Sequence, residues 1–187
     1  MQKQVAFLTQ SAMMLALATL LSFFAVFHLP NGGSVTLGSM IPLLFVAYKF
    51  DWKRSLLVAF AYSLIQMISG FYAPPTQNLL SFIAVVLLDY VIAFGALGLA
   101  GLFYRTLLKK LPQSVSMVTS GVMTYAIRFI CHFFSGILIW SFYAPAGQPV
   151  WLYSLVYNGS YMALEALISA IFLGLAGPRL LNRFTAM

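Results

Sequence analysis

Acidic side chains are almost missing from this chain: Asp51, Asp89 and Glu165 are the only three in 187 residues. Charged residues of both signs together make up 7%, where a soluble domain carries about 25%. So little charge cannot cover a water-facing surface, which excludes an ordinary soluble fold. Cys131 is the single cysteine, so no internal disulfide forms and no thiolate set exists for a metal. No glycine-rich loop ends in Lys-Ser or Lys-Thr, which excludes a P-loop nucleotide site. No His-Glu-x-x-His run is present for an intramembrane metalloprotease, and "FSGI" at 134–137 supplies no nucleophile elbow. Rings of one polar residue type, which an ion pore requires, do not occur. Neither an arginine-rich motif nor an aromatic platform offers itself to nucleic acid, although the net charge is +7. Internal repeats and inverted halves are missing as well.

What the chain has is apolar length. Hydrophobic residues make up 62%, and they run continuously near residues 5–27, 35–48, 55–71, 78–104, 115–140 and 151–177. Continuous runs favour helices over an alternating barrel pattern, and a crossing takes about 20 apolar residues. The expected fold is an all-α integral membrane protein with six transmembrane helices, a single domain over residues 1–187 with no extramembrane part. The second run is short and contains Pro42. The first follows Lys3 and contains Ala16-Leu17-Ala18, as a signal peptide can. It continues to about Phe27, too long for a signal core, and reads as a retained helix.

The basic residues give these spans a direction. Lys3; Lys49, Lys53 and Arg54; Arg105, Lys109 and Lys110; and Arg179 and Arg183 fall on alternate sides of the runs. The other connections, 28–34, 72–77 and 141–150, contain no lysine or arginine. By the positive-inside rule both termini are cytoplasmic. The outer connections are rich in proline, glycine and aromatics, as ordered turns are. Phe142, Tyr143 and Trp151 there suit either an interfacial belt or the closure of an outward-facing pocket.

Nine of the ten basic residues are thus inner; the tenth, Arg128, lies in the middle of the fifth run. Asp89 lies mid-way in the fourth and Glu165 in the sixth. A charge at mid-membrane costs about 2.5–3.5 kcal/mol on insertion scales, so such groups face a protein interior or a wet cavity and pair there. Helical spacing groups them. Thr124, Arg128, His132 and Gly136 share one face of the fifth run; Ser154, Asn158, Tyr161, Glu165 and Ser169 share one face of the sixth. With the two runs antiparallel, both stripes line one outward-opening pocket with a charged floor. Plainer roles stand beside this one: Arg128 can neutralise Asp89 or Glu165, and His132 and Asn158 can serve as interhelical hydrogen-bonders. Asp89, His132 and Glu165 offer atoms to a metal, but the cation Arg128 beside them argues against one. No cofactor is expected.

Four stretches, "LPNGGSVTLGSMIP", "LLDYVIAFGALGLAG", "HFFSGILIWSFYAPAGQPVWLYSLVYNGSYM" and the terminal "PRLL", resemble the thiamine-specific S components of energy-coupling-factor (ECF) vitamin transporters, the ThiT family. The resemblance runs in family order over nearly the whole chain. It implies a cell-membrane subunit that binds thiamine from outside and works with a T component and two cytoplasmic ATPases. It also implies a substrate site at Asp89, Tyr90, His132, Trp140, Tyr153 and Asn158, with Arg128, Glu165 and Tyr62 as supporting residues. Some members have Glu where this chain has Asp89, tryptophan where it has Tyr62, an acidic residue where it has Leu37, and lysine where it has Arg128. An Ala-x-x-x-Ala pair on the first helix docks the T component in this family; Ala12 and Ala16 match it. The residue chemistry agrees. Aromatic faces at Trp140 and Tyr153 suit a thiazolium cation, Asp89 balances its charge, and Asn158 carries both a donor and an acceptor. The alternatives are an S component for another vitamin, an intramembrane enzyme using Asp89, His132 and Glu165, and a purely structural or assembly protein.

Overall fold

The computed structural model describes residues 2–76 and 78–186; Gln77, in the second outer connection, lies outside them. Seven helical elements follow in order: α1 (Gln2–Ser22), α2 (Ile41–Lys49), α3 (Trp52–Gly70), α4 (Leu79–Leu107), α5 (Gln113–Leu138), α6 (Val150–Leu175) and α7 (Gly177–Ala186). A short antiparallel hairpin, β1 (Ala25–His28) and β2 (Ser34–Thr36), joins α1 to α2.

The long helices are polar inside and apolar outside. On α6 the buried residues are Ser154, Asn158, Tyr161, Met162, Glu165, Ser169 and Leu173, while Leu155, Val156, Leu164, Leu167 and Ile171 are exposed. On α5, Thr124, Arg128, Ser135 and Gly136 are buried, and Val122, Met123, Ile130, Phe134 and Leu138 face outward. Lipid tails are as apolar as leucine, so exposed leucines cost nothing there, whereas polar groups must be satisfied within the protein. The helices α1, α4, α5 and α6 are long and apolar enough to cross a membrane.

The second expected span is different. Residues 35–48 do not form one helix: β2 enters, Gly38 turns the chain at φ +80°, and only then does α2 begin. Nine residues span about 13.5 Å at 1.5 Å each, under half of the roughly 30 Å hydrocarbon thickness. From Ile41 to Tyr48 every residue of α2 is buried, so this is an interior element, which is where non-helical backbone can be accommodated at membrane depth. α3 has 19 residues and is preceded by Asp51, whose carboxylate accepts from the Arg54 N–H at 3.1 Å as an N-cap. The sixth run also ends early: α7 is a separate amphipathic helix, with Gly177, Leu181 and Phe184 buried and Arg179 and Arg183 exposed.

Contacts sort the connections into two ends. At one, Lys49 donates to the Phe184 carbonyl, Arg105 to the Phe50 carbonyl, Arg54 lies over the Phe7 ring and Gln113 bonds Asn182. The basic connections therefore gather together. At the other, Gln66 bonds Ser22, Tyr72 packs on Trp140 and Tyr157 holds the hairpin loop.

α4 is wound unevenly. Val86–Ile92 is π-helical and Ala96–Leu99 is a 3₁₀ turn, with α-helix on either side. Such π segments recur at functional sites, and Asp89 sits in the middle of this one.

Candidate functional site

α5 and α6 approach closely because Gly136 has no side chain: a Cβ there would lie 2.1 Å from Ser154 Oγ. The gap is bridged by Asn158, whose Nδ2 donates to the His132 carbonyl at 3.1 Å. The two polar stripes consequently face each other, and with α3, α4 and the hairpin they enclose a cavity of about 200 Å³.

Asp89 is the anionic centre of the loop-side half. Its Oδ2 accepts from Ser135 Oγ at 2.7 Å and from Trp140 Nε1 at 2.9 Å. Its Oδ1 lies 3.1 Å from His132 Nδ1. That contact has ion-pair distance but not hydrogen-bond geometry; His132 Nε2 has no protein partner, and the residue lines the cavity. The partner the structure gives Asp89 is therefore His132; among the described residues no ion pair joins Arg128 to either acid.

Aromatic rings wall the same half. Trp140, on the 3₁₀ turn after α5, stacks on Tyr143 at 6.2 Å and meets Tyr72 at 5.9 Å. Tyr153 stacks on Tyr157 at 5.7 Å. Tyr90 is tied down: its hydroxyl accepts from Tyr72 N–H at 3.0 Å and donates to the Gly70 carbonyl at 3.2 Å. Tyr62 is buried against Phe94, ring centroids 5.2 Å apart. Of Phe142, Tyr143 and Trp151, the first and the last are exposed and Tyr143 joins the wall region through Trp140.

Asn158 lines the cavity, but its amide is largely used inside the protein. Besides His132, Nδ2 donates to the Ser154 carbonyl at 3.1 Å, and Oδ1 accepts from the Tyr161 hydroxyl at 3.0 Å. Its interhelical role is thus explicit, with one lone pair of Oδ1 left over.

The other half of the cavity holds Arg128 and Glu165. Arg128 lies over the Phe94 ring at 4.6 Å and turns Nη1 toward the Met40 sulfur. Glu165 Oε1 accepts from both the N–H and the Oγ1 of Thr36. These contacts fasten the hairpin to mid-α6. Two turns earlier the Tyr157 hydroxyl accepts from Gly33 N–H at 3.0 Å and donates to the Pro30 carbonyl.

All nine residues expected in or near the site, Asp89, Tyr90, His132, Trp140, Tyr153, Asn158, Arg128, Glu165 and Tyr62, line this one cavity. Sequence reasoning missed Thr36, Ser39 and Met40, which sit in the glycine-rich stretch, and Tyr72, Tyr157 and Ser135. Ala12 and Ala16 are elsewhere, exposed together on α1. Among the described residues no three histidine, cysteine or acidic side chains converge on a metal position.

A solved structure of ThiT from Listeria monocytogenes has the same fold, with a TM-score of 0.76 at 23% identity, covering 96% of this chain and 98% of that one. A thiamine transporter from Bacillus subtilis, ThiT, is 34% identical, covering 96% of each chain. Its namesake from Lacticaseibacillus paracasei is 26% identical over 92% of this chain and 87% of that one. These relatives are named as transporters rather than enzymes, and with the long apolar helices they mark a multi-pass membrane protein. The sequence model for the family described as "Thiamine transporter protein" matches residues 8–183, and the chain belongs to that family.

Proposed function

We propose that this chain is the thiamine-binding S component of an ECF-type importer in a prokaryotic cell membrane. The observation that carries the reading is the Asp89 carboxylate, fixed by Ser135 and Trp140 and set 3.1 Å from His132 Nδ1, at the edge of an aromatic-walled cavity. Thiamine pairs a permanent cation with an aminopyrimidine. A buried anion balances the cation, aromatic faces stabilise it by about 2 kcal/mol when desolvated, and the unpartnered His132 Nε2 and remaining Asn158 lone pair are available to polar ring atoms. The relatives' names support thiamine in particular.

The topology proposed with it is a single domain of six crossings, the second being β2, the Gly38 turn and α2 in series. The basic end is cytoplasmic by the positive-inside rule, with both termini there. Energy comes from a T component and two ATPases, since the chain has no nucleotide motif of its own.

Of the three tryptophans, Trp140 lines the cavity, while Trp52 and Trp151 are 42% and 54% exposed. Thiamine titrated into purified protein is expected to perturb the Trp140 emission and bind at submicromolar concentration. Riboflavin and biotin are expected not to bind. Equal binding of all three vitamins would overturn the assignment.

A further inference from the structure

The floor of the cavity carries an unusual pair. Arg128 is 4% exposed and Glu165 is 2% exposed, and both line the cavity. They carry opposite charge, yet no ion pair joins them. Each keeps one buried polar atom with no protein partner: Nε, a donor, on Arg128, and Oε2, an acceptor, on Glu165. A buried atom of either kind left unsatisfied is expensive, and more so when its group is charged.

The chemistry that satisfies both is narrow. A cation placed there meets Arg128, and an anion meets Glu165. A neutral group that accepts one hydrogen bond and donates another meets both, as water does, and among groups that an organic ligand carries a hydroxyl is the smallest. The position suits a ligand anchored at Asp89. His132 and Arg128 are one turn apart, about 6 Å along α5, so a cationic ring held beside Asp89 and His132 can direct a short arm at the floor.

We propose that the end of the cavity formed by Arg128 and Glu165 is a hydroxyl subsite, in which Arg128 donates to and Glu165 accepts from the terminal alcohol of the ligand. Resting on the thiamine reading, this assigns the hydroxyethyl tail to the floor and makes Glu165 a specificity-determining residue. Oε1 remains engaged with Thr36, so Oε2 is the atom that inspects the tail. An uncharged alcohol fits it. A phosphate ester on that alcohol brings an anion against the carboxylate and is disfavoured.

The test compares three ligands by calorimetric titration: thiamine, its analogue with an ethyl group in place of hydroxyethyl, and thiamine monophosphate. In the wild-type protein the ethyl analogue is expected to bind more weakly than thiamine by roughly 100-fold or more, since two hydrogen bonds to charged groups are lost. Glu165→Gln keeps an oxygen for Thr36 and replaces the cavity acceptor by a donor. The preference for hydroxyl over ethyl is expected to shrink in it, and the preference for thiamine over its monophosphate to fall about tenfold as like-charge repulsion is removed. Ethyl and hydroxyethyl ligands binding equally well to wild type would overturn the subsite while leaving the thiamine site standing. An unchanged monophosphate ratio in a folded Glu165→Gln protein would overturn the role of Glu165. Absence of thiamine binding to wild type would remove the parent reading and this one with it.

Discussion

Ser135 is fully buried behind the cavity wall, and its hydroxyl both donates to Asp89 and lies 3.1 Å from Trp140 Nε1. It therefore holds the carboxylate and the indole in one arrangement, and acts as a positioning residue for them. Ser135→Ala leaves Asp89 with Trp140 and His132 alone; thiamine affinity measured by calorimetry is expected to fall by roughly 5- to 30-fold, the worth of about one such hydrogen bond. Trp140→Phe keeps a ring but loses the same bond count, and should fall by a similar factor. Trp140→Ala loses the face as well and should be weaker than either. Wild-type affinity in Ser135→Ala would show that Asp89 does not depend on it. The sequence could mark Asp89 and His132 because a charge and an imidazole are rare in an apolar run, while Trp140 came from the family resemblance. Ser135 carried no such mark: a serine in a membrane helix ordinarily bonds its own backbone, and only the arrival of Asp89 from α4 gives this one another partner.

At the scale of elements, what was legible depended on period. The polar stripes of α5 and α6 could be read because each repeats every three or four residues and each lies on one uninterrupted helix. The second span could not, because its polar residues Thr36 and Ser39 belong to an extended segment and a glycine turn, where helical spacing says nothing. The π winding that surrounds Asp89 leaves no compositional trace either. The α5–α6 pair is also where a small change should be felt most. A Cβ on Gly136 would lie 2.9 Å from Ser154 Cβ and 3.0 Å from Asn158 Nδ2, so even alanine must push the helices apart. Overpacking of this kind costs about 1–3 kcal/mol and separates Asn158 from the His132 carbonyl. Gly136→Ala is expected to lower the melting temperature in detergent and to weaken thiamine binding. Gly159→Ala is the control: its nearest neighbour would be Phe129 at 3.8 Å, an ordinary contact, and it should behave as wild type. Identical melting of the two variants would mean that the helix pair tolerates separation.

For the whole molecule, the proposed role as an importer subunit calls for a surface on which the T component could dock. The α1 face that carries Ala12 and Ala16 has the required properties. Both alanines are exposed, as are Leu8, Met13 and Leu20, so the pair does not serve packing within this chain. Small side chains four residues apart let a second helix approach until backbones touch, and in lipid such packing is the main source of association. This face also lies away from the cavity, since no residue between Gln2 and Leu21 lines it. The double change Ala12→Trp and Ala16→Trp therefore adds bulk to the outer surface only. Thiamine binding by the purified chain is expected to be unchanged. Co-purification with a T component and ATPases, and thiamine uptake by cells expressing the whole importer, are expected to be lost. If uptake persists with both tryptophans in place, partner docking uses a different face; if binding falls together with uptake, the α1 surface supports the fold itself rather than an assembly.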